Sequence, residues 1–269
     1  MNHAQSLLAR SFLVLLFLAG EPVVAQIQSG TFHTIGLHSG YLYMANRDDL
    51  ESPMRYSGAT LPLMLSYDYH GEINLHSVRL SFHSGSLESV LTSDGGHRID
   101  ATGGAIEYSY LHSIEILQEP SFQTFFGVTW NNEAQIRNHI YSTYQGGSWR
   151  FFEFYSSLSI TGHAEYRISE RGSMNARLSM PLVAFVVRPG YADTPLVPED
   201  NTDRSMLKGG RIASWGSFRG FASEVGYNIS LCRHLDLSMR YALQYTYYSL
   251  PAETMTFIGQ FDVGLSFKL

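Results

Sequence analysis

Between residues 256 and 269 the chain places Phe257, Phe261, Val263, Leu265, Phe267 and Leu269 at odd positions, with Gln260, Asp262, Gly264, Ser266 and Lys268 between them. A period of two over so many residues is an extended strand with one apolar and one polar face. The pattern recurs upstream. Residues 31–43 set Ile35, Leu37, Tyr41 and Tyr43 against Thr34, Gly36, His38 and Gly40, and residues 59–69 present Leu61, Leu63, Leu65, Tyr67 and Tyr69. A turn at His70-Gly71 leads to a third strand, with Val78, Leu80 and Phe82 outward and Ser77, Arg79 and Ser81 inward, a hairpin signal. The fourth, 105–117, alternates Ile106, Tyr108, Tyr110 and Ile114 with Glu107, Ser109 and Ser113; the fifth carries Phe122, Phe126, Val128 and Trp130. The sixth, 149–168, sets Phe152, Phe154, Leu158 and Ile160 against Glu153, Tyr155, Ser157 and Ser159. The seventh points Leu178, Met180, Leu182, Ala184 and Val186 outward, and the eighth, 217–231, shows Phe221, Val225, Tyr227 and Ile229. The ninth has the clearest stripe, from Leu235 through Tyr241 to Tyr247. The stretch described first is the tenth.

Longer connections at 45–57, 84–104, 131–147 and 188–214 alternate with short turns at 70–71, 119–120, 170–172 and 232–234. Strands of even number joined in this way are the arrangement of bacterial membrane barrels, and tyrosines near strand ends suit aromatic girdles. The last strand, with Phe267 close to its end, resembles the closing strand of Gram-negative outer-membrane β-barrel proteins. Leu269 stands where that class usually ends in Phe. The resemblance implies an all-β fold: a transmembrane antiparallel up-and-down barrel of about ten strands, with long extracellular loops, short periplasmic turns and both termini in the periplasm. It also implies residence in the cell outer membrane, contact with outer-membrane lipid and lipopolysaccharide, and other outer-membrane proteins as partners.

Composition narrows the reading further. Charged residues make up only 16% of the chain, against 17 Tyr, 16 Phe and 24 Gly; soluble domains carry about 25% charge. The net charge of −6 supplies no basic footprint for nucleic acid. Residues 1–10 form a short n-region ending in Arg10, residues 12–19 an apolar h-region, and Val23-Val24-Ala25 a cleavage site. The expected domains are therefore a signal peptide, 1–25, and a barrel, 26–269. Cys232 is the only cysteine, so no internal disulfide is available.

Candidate chemistry lies on the inward parity, which carries His38, Arg79, Glu107, Glu115, Glu153, Arg177, Glu224, Arg240 and Asp262. A ten-stranded barrel is narrow, so these side chains meet, and unpaired buried charges are expensive. The expectation is a polar network of Arg79, Glu107, Glu153, Arg177, Glu224, Arg240 and Asp262 that fills the lumen; a selectivity ring for a small solute is the alternative. Asp48-Asp49-Leu50-Glu51 reads as a solvated acidic loop, with divalent-cation binding as its sharper alternative. Pro53, Met54, Arg55 and Tyr56 read as a rigid loop before the second strand, and as a candidate partner-docking surface. Omptin-type proteases share the strand number, but their paired acids and His–Asp couple cannot be placed on this sequence. His38-Ser39, His76-Ser77 and His112-Ser113 point to opposite faces in pairs, and neither a Gly-x-Ser-x-Gly elbow nor a His-Glu-x-x-His motif occurs. No catalytic residue, metal or cofactor follows. The expected function is that of a non-enzymatic barrel, a structural or accessory subunit of an outer-membrane complex. A small passive pore is the alternative, and a loop-borne hydrolase a third reading.

Overall fold

A computed structural model describes residues 31–49, 52–89, 97–114, 117, 119, 121–141, 148–188, 210–250 and 252–269. The expected signal peptide and Glu115 lie outside the described residues. The strands are β1 (Phe32–Asp48), β2 (Ser52–His70), β3 (Asn74–Ser89), β4 (His97–Ser113), β5 (Phe122–Tyr141), β6 (Ser148–Arg167), β7 (Gly172–Val187), β8 (Arg211–Ser214), β9 (Phe218–Cys232), β10 (Leu235–Tyr248) and β11 (Thr254–Lys268). β8 pairs with β7 from Val183 to Val186, and β9 pairs with it from Gly172 to Ser179. The two are therefore segments of one stave, and the barrel has ten staves. β1 closes the sheet on β11, from Thr34↔Lys268 to Asp48↔Thr254. Closure removes the edges that an open sheet would leave unpaired in lipid.

Alternation places Leu37, Leu61, Leu63, Phe82, Ile106, Trp130 and Leu265 on the exposed outside and His38, Met64, Arg177 and Asp262 inside, buried. These outward residues form an apolar belt. Tyr67, Tyr110, Tyr166 and Phe267 lie towards the end where β1 begins, which holds the two-residue turn at 233–234; Tyr43, Trp130, Phe221 and Phe257 lie towards the other. The short turns mark the end where β1 begins as the periplasmic one.

The strands run further than the sequence suggests. β5 and β6 have 20 residues each, where about 9–11 cross a bilayer. The surplus stands on the extracellular side, where outward positions turn polar: Arg47, Arg55, Glu88, Arg98 and Arg150. The stretches expected as loops at 45–57, 84–104 and 131–147 are largely sheet, because strand pairing continues after the lipid that demands apolar side chains has ended. Pro53 to Tyr56 thus belong to β2 instead of a loop, and Tyr56 is buried inside the barrel.

β7 holds a second departure. Leu158 pairs with Val183 but Ser159 pairs with Pro181, so Leu182 is an extra residue on β7. Such a bulge reverses the alternation beyond it, and a proline, lacking an N–H, is at home there. Ala184 and Val186, expected to face lipid, are buried with Ala213, Phe218 and Tyr248. Opposite them Leu42, Met44, Tyr56, Leu87, Ile99, Ala101 and Ile258 form another apolar cluster. The upper lumen is therefore packed like a protein core.

Candidate functional site

The lumen contains two layers of ion pairs. The lower lies level with the middle of the apolar belt, on inward rungs of β3, β4, β7, β9, β10 and β11. Arg79 donates to both carboxylate oxygens of Glu224, at 2.7 and 3.2 Å. Arg240 bridges Glu224, at 3.2 Å, and Asp262. Arg177 reaches Glu107 at 2.9 Å, and Arg79 approaches the same carboxylate at 3.9 Å. Arg177 also donates to Ser109 and Thr129, which continue into a hydroxyl chain through Thr161 to Ser179, at 2.7 Å and 2.9 Å for the last two links. Three arginines thus meet three carboxylates, and the charges close in pairs.

Glu153 is not part of this layer. It sits in the upper one, where Arg137 reaches it at 2.6 Å and Arg188 at 3.0 Å, while the same two arginines reach Asp48 at 3.1 and 2.6 Å. Asn46 accepts from Arg137 at 3.0 Å, and the backbone oxygens of Leu250 and Ala252 accept from Arg188 at 3.4 and 3.0 Å. All four charged side chains are nearly inaccessible: Arg137 and Arg188 at 1%, Asp48 and Glu153 at 4%. Burial by itself would lower the pKa of Arg188, but Glu153 and Asp48 outweigh it and hold the guanidinium charged. Two donors that each serve both acceptors tie β1, β5, β6 and the end of β7 together above the membrane.

Asp48 therefore corrects the sequence reading of the acidic run: it is a buried ion-pair partner, while Asp49 pairs with Arg47 at 2.9 Å on the outside. Leu50 and Glu51 lie outside the described residues. Arg137 and Arg188 were invisible to alternation because both fall in stretches read as loops. The one available signal was compositional, since polar residues occupy both parities of 131–139 yet are interrupted by Ile136 and Ala134.

Below the lower layer is a cavity of about 640 Å³ that reaches the periplasmic turn residues Gly71, Glu72 and Arg171. At its ceiling His38 lies between Ser66, at 3.4 Å, and Ser238, at 3.2 Å. Gly36 and Gly264 make room for the ring; a Cβ on Gly264 would lie 2.3 Å from His38 Nδ1. This Ser–His–Ser contact joins β1, β2 and β10 and could not be found from neighbouring residues in sequence. Among the described residues, no group of three or more His, Cys, Asp or Glu is placed to hold a metal ion.

A closed barrel with an apolar belt, aromatic residues at both margins and, among the described residues, charged residues kept to its interior, its outer extension and its short turns is a transmembrane β-barrel of the Gram-negative outer-membrane class, and its place is the outer membrane. No family model matches the chain, and no curated protein does. Among solved structures the outer membrane protease OmpT from Escherichia coli matches with a TM-score of 0.52 and 9% identity, over 91% of this chain and 98% of that one. The translocator domain of the autotransporter NalP from Neisseria meningitidis matches at a TM-score of 0.42 and 7% identity, over 98% of this chain and 97% of that one. Neisserial surface protein A matches at 0.37 and 10% identity, over 87% of this chain and 97% of that one. At such identities what is shared with OmpT is the fold.

Proposed function

We propose that the protein is a sealed, non-enzymatic barrel that acts through its outer surface, as a structural or accessory subunit of an outer-membrane assembly. The observation that supports this most is the double closure of the lumen. A solute coming from the periplasm meets the layer of Arg79, Arg177 and Arg240, and behind it the four buried charges of the upper layer and the apolar clusters around them. Opening either layer to a passing solute separates buried opposite charges, each separation costing several kcal/mol. Work done by such a barrel falls to its lipid-facing belt and to the polar wall above it.

The small passive pore is the competing reading, favoured by the size of the periplasmic cavity. Extraction of native membranes in mild detergent, followed by mass spectrometry, tests the proposal. Stoichiometric recovery of one other outer-membrane protein supports an accessory role. Recovery of the barrel with lipid alone would overturn that role.

A further inference from the structure

The charges that line the periplasmic cavity do not all close among themselves. Its roof is the lower ion-pair layer, where Arg79, Arg177 and Arg240 are held by Glu224, Glu107 and Asp262. On its walls Glu165 meets His163 at 2.9 Å, and Asp236 meets Lys268 at 2.7 Å. Asp68 differs. It projects inward from β2 into the cavity, half-buried, and has no hydrogen-bond or ion-pair partner among the described residues.

Below the lower layer, two buried atoms of the cavity wall are also unmet. Ser77, directly across from Asp68 on β3, is 3% exposed, and its Oγ has no hydrogen-bond partner. Asp236 pairs with Lys268 through Oδ2 and leaves Oδ1 without a partner. All of these groups can accept a hydrogen bond, and a buried acceptor left unmet costs stability. One ammonium carries three N–H donors and can serve the Asp68 carboxylate and the Ser77 hydroxyl together. One carboxylate and one hydroxyl are too few oxygens to hold a metal ion. At the next inward position towards the periplasm, Leu75 faces Leu111 across β3 and β4 and packs with Phe125, while Phe32 stacks on His70 at 4.3 Å. These residues line the same cavity, so an apolar shelf lies directly beneath the unmet carboxylate.

We infer that this cavity binds a small organic cation, a primary ammonium on an apolar body, with Asp68 and Ser77 holding the ammonium and Leu75, Leu111 and Phe125 against the body. Glu72 and Glu170, exposed at the mouth beside Arg171, place further carboxylates along its path from the periplasm. Binding there balances Asp68 and leaves the ion pairs of the roof closed. The inference goes beyond the outer-surface reading and does not depend on it, because every group that meets the ligand points into the lumen.

The test is a calorimetric titration of the purified mature barrel in non-ionic detergent with phenethylamine, with phenethyl alcohol and with hydrocinnamate, which share a ring and differ in charge. Saturable binding of the amine alone is expected. Asp68→Asn should weaken it about tenfold and Ser77→Ala about threefold, as loss of a charged and of a neutral hydrogen bond respectively, while Asp68→Glu should keep most of it. Because Asp68 has no partner within the barrel, Asp68→Asn should leave the unfolding midpoint of the empty protein unchanged or raised. Equal binding of the alcohol, undiminished binding by Asp68→Asn, or no saturable binding of the amine at millimolar concentration would overturn the assignment. So would a fall in the midpoint of the empty Asp68→Asn protein, which would make the carboxylate a structural group. Co-purification of a partner protein reports on the outer-surface reading separately.

Discussion

Glu224→Gln removes one charge from the lower layer and keeps the shape of the side chain. Glu224 makes three charge-assisted contacts, at 2.7, 3.2 and 3.2 Å, and its side chain is 13% exposed. After the change three arginines share two carboxylates, Glu107 and Asp262. Arg79 is left with Glu107 at 3.9 Å, a carboxylate already held by Arg177 at 2.9 Å. Breaking a buried pair by removing one partner costs about 3–5 kcal/mol. The cavity beneath gives water some access, so the lower bound, about 3 kcal/mol, is expected. Urea unfolding from lipid vesicles, followed by tryptophan fluorescence, measures it. The cycle of Arg79→Met, Glu224→Met and the double variant isolates the pair. A coupling of roughly 2 kcal/mol is expected, since contacting charged residues couple by about 0.5–3 kcal/mol. A loss below about 1 kcal/mol, with no coupling, would refute the claim that this layer is a closed ion-pair network.

Other consequences concern the upper layer, the bulge and the histidine. Arg188→Ala strands Asp48 and Glu153 beside a single arginine and should destabilise the extracellular half by about 3 kcal/mol, read as faster proteolysis at the extracellular wall with the membrane belt still protected. Deleting Leu182 removes the bulge, turns Ala184 and Val186 towards the outside and should abolish the heat-modifiable gel shift of the folded barrel, whereas Leu182→Val should retain it. Gly264→Ala would set a Cβ 2.3 Å from His38 and should cost about 1–3 kcal/mol by overpacking. The companion His38→Ala, which removes the ring but leaves the Leu37 carbonyl oxygen 2.6 Å from that Cβ, should restore only part of that loss in the same unfolding assay.

Much of the barrel could be read from alternation wherever lipid enforces it. Leu61, Leu63 and Leu65, or Leu237, Met239 and Tyr241, leave no choice of face, and with them came the inward parity of Arg79, Glu107, Glu224, Arg240 and Asp262. Where the strands rise above the membrane both faces meet polar surroundings, and the signal vanishes although the hydrogen bonds do not. That is why alternation does not single out Arg137, why Asp48 reads as part of a solvated acidic loop, and why Pro53 to Tyr56 read as a loop. The bulge at Leu182 is silent for another reason: Pro181-Leu182-Val183 continues an apolar run, so a one-residue slip leaves no gap in the pattern. Which charged residues pair across the lumen depends on stave positions around a closed ring, information that no local window holds; Glu153 shares the parity of Glu224 but lies in a different layer.

The sealed lumen is most directly tested by single-channel recording of the purified barrel in planar bilayers. With both ion-pair layers intact, no conductance steps should be seen over long recordings, and steps should appear when Arg177 and Arg240 below and Arg137 and Arg188 above are replaced together by alanine. Reproducible steps from the wild-type protein, abolished by no variant of these residues, would contradict the account.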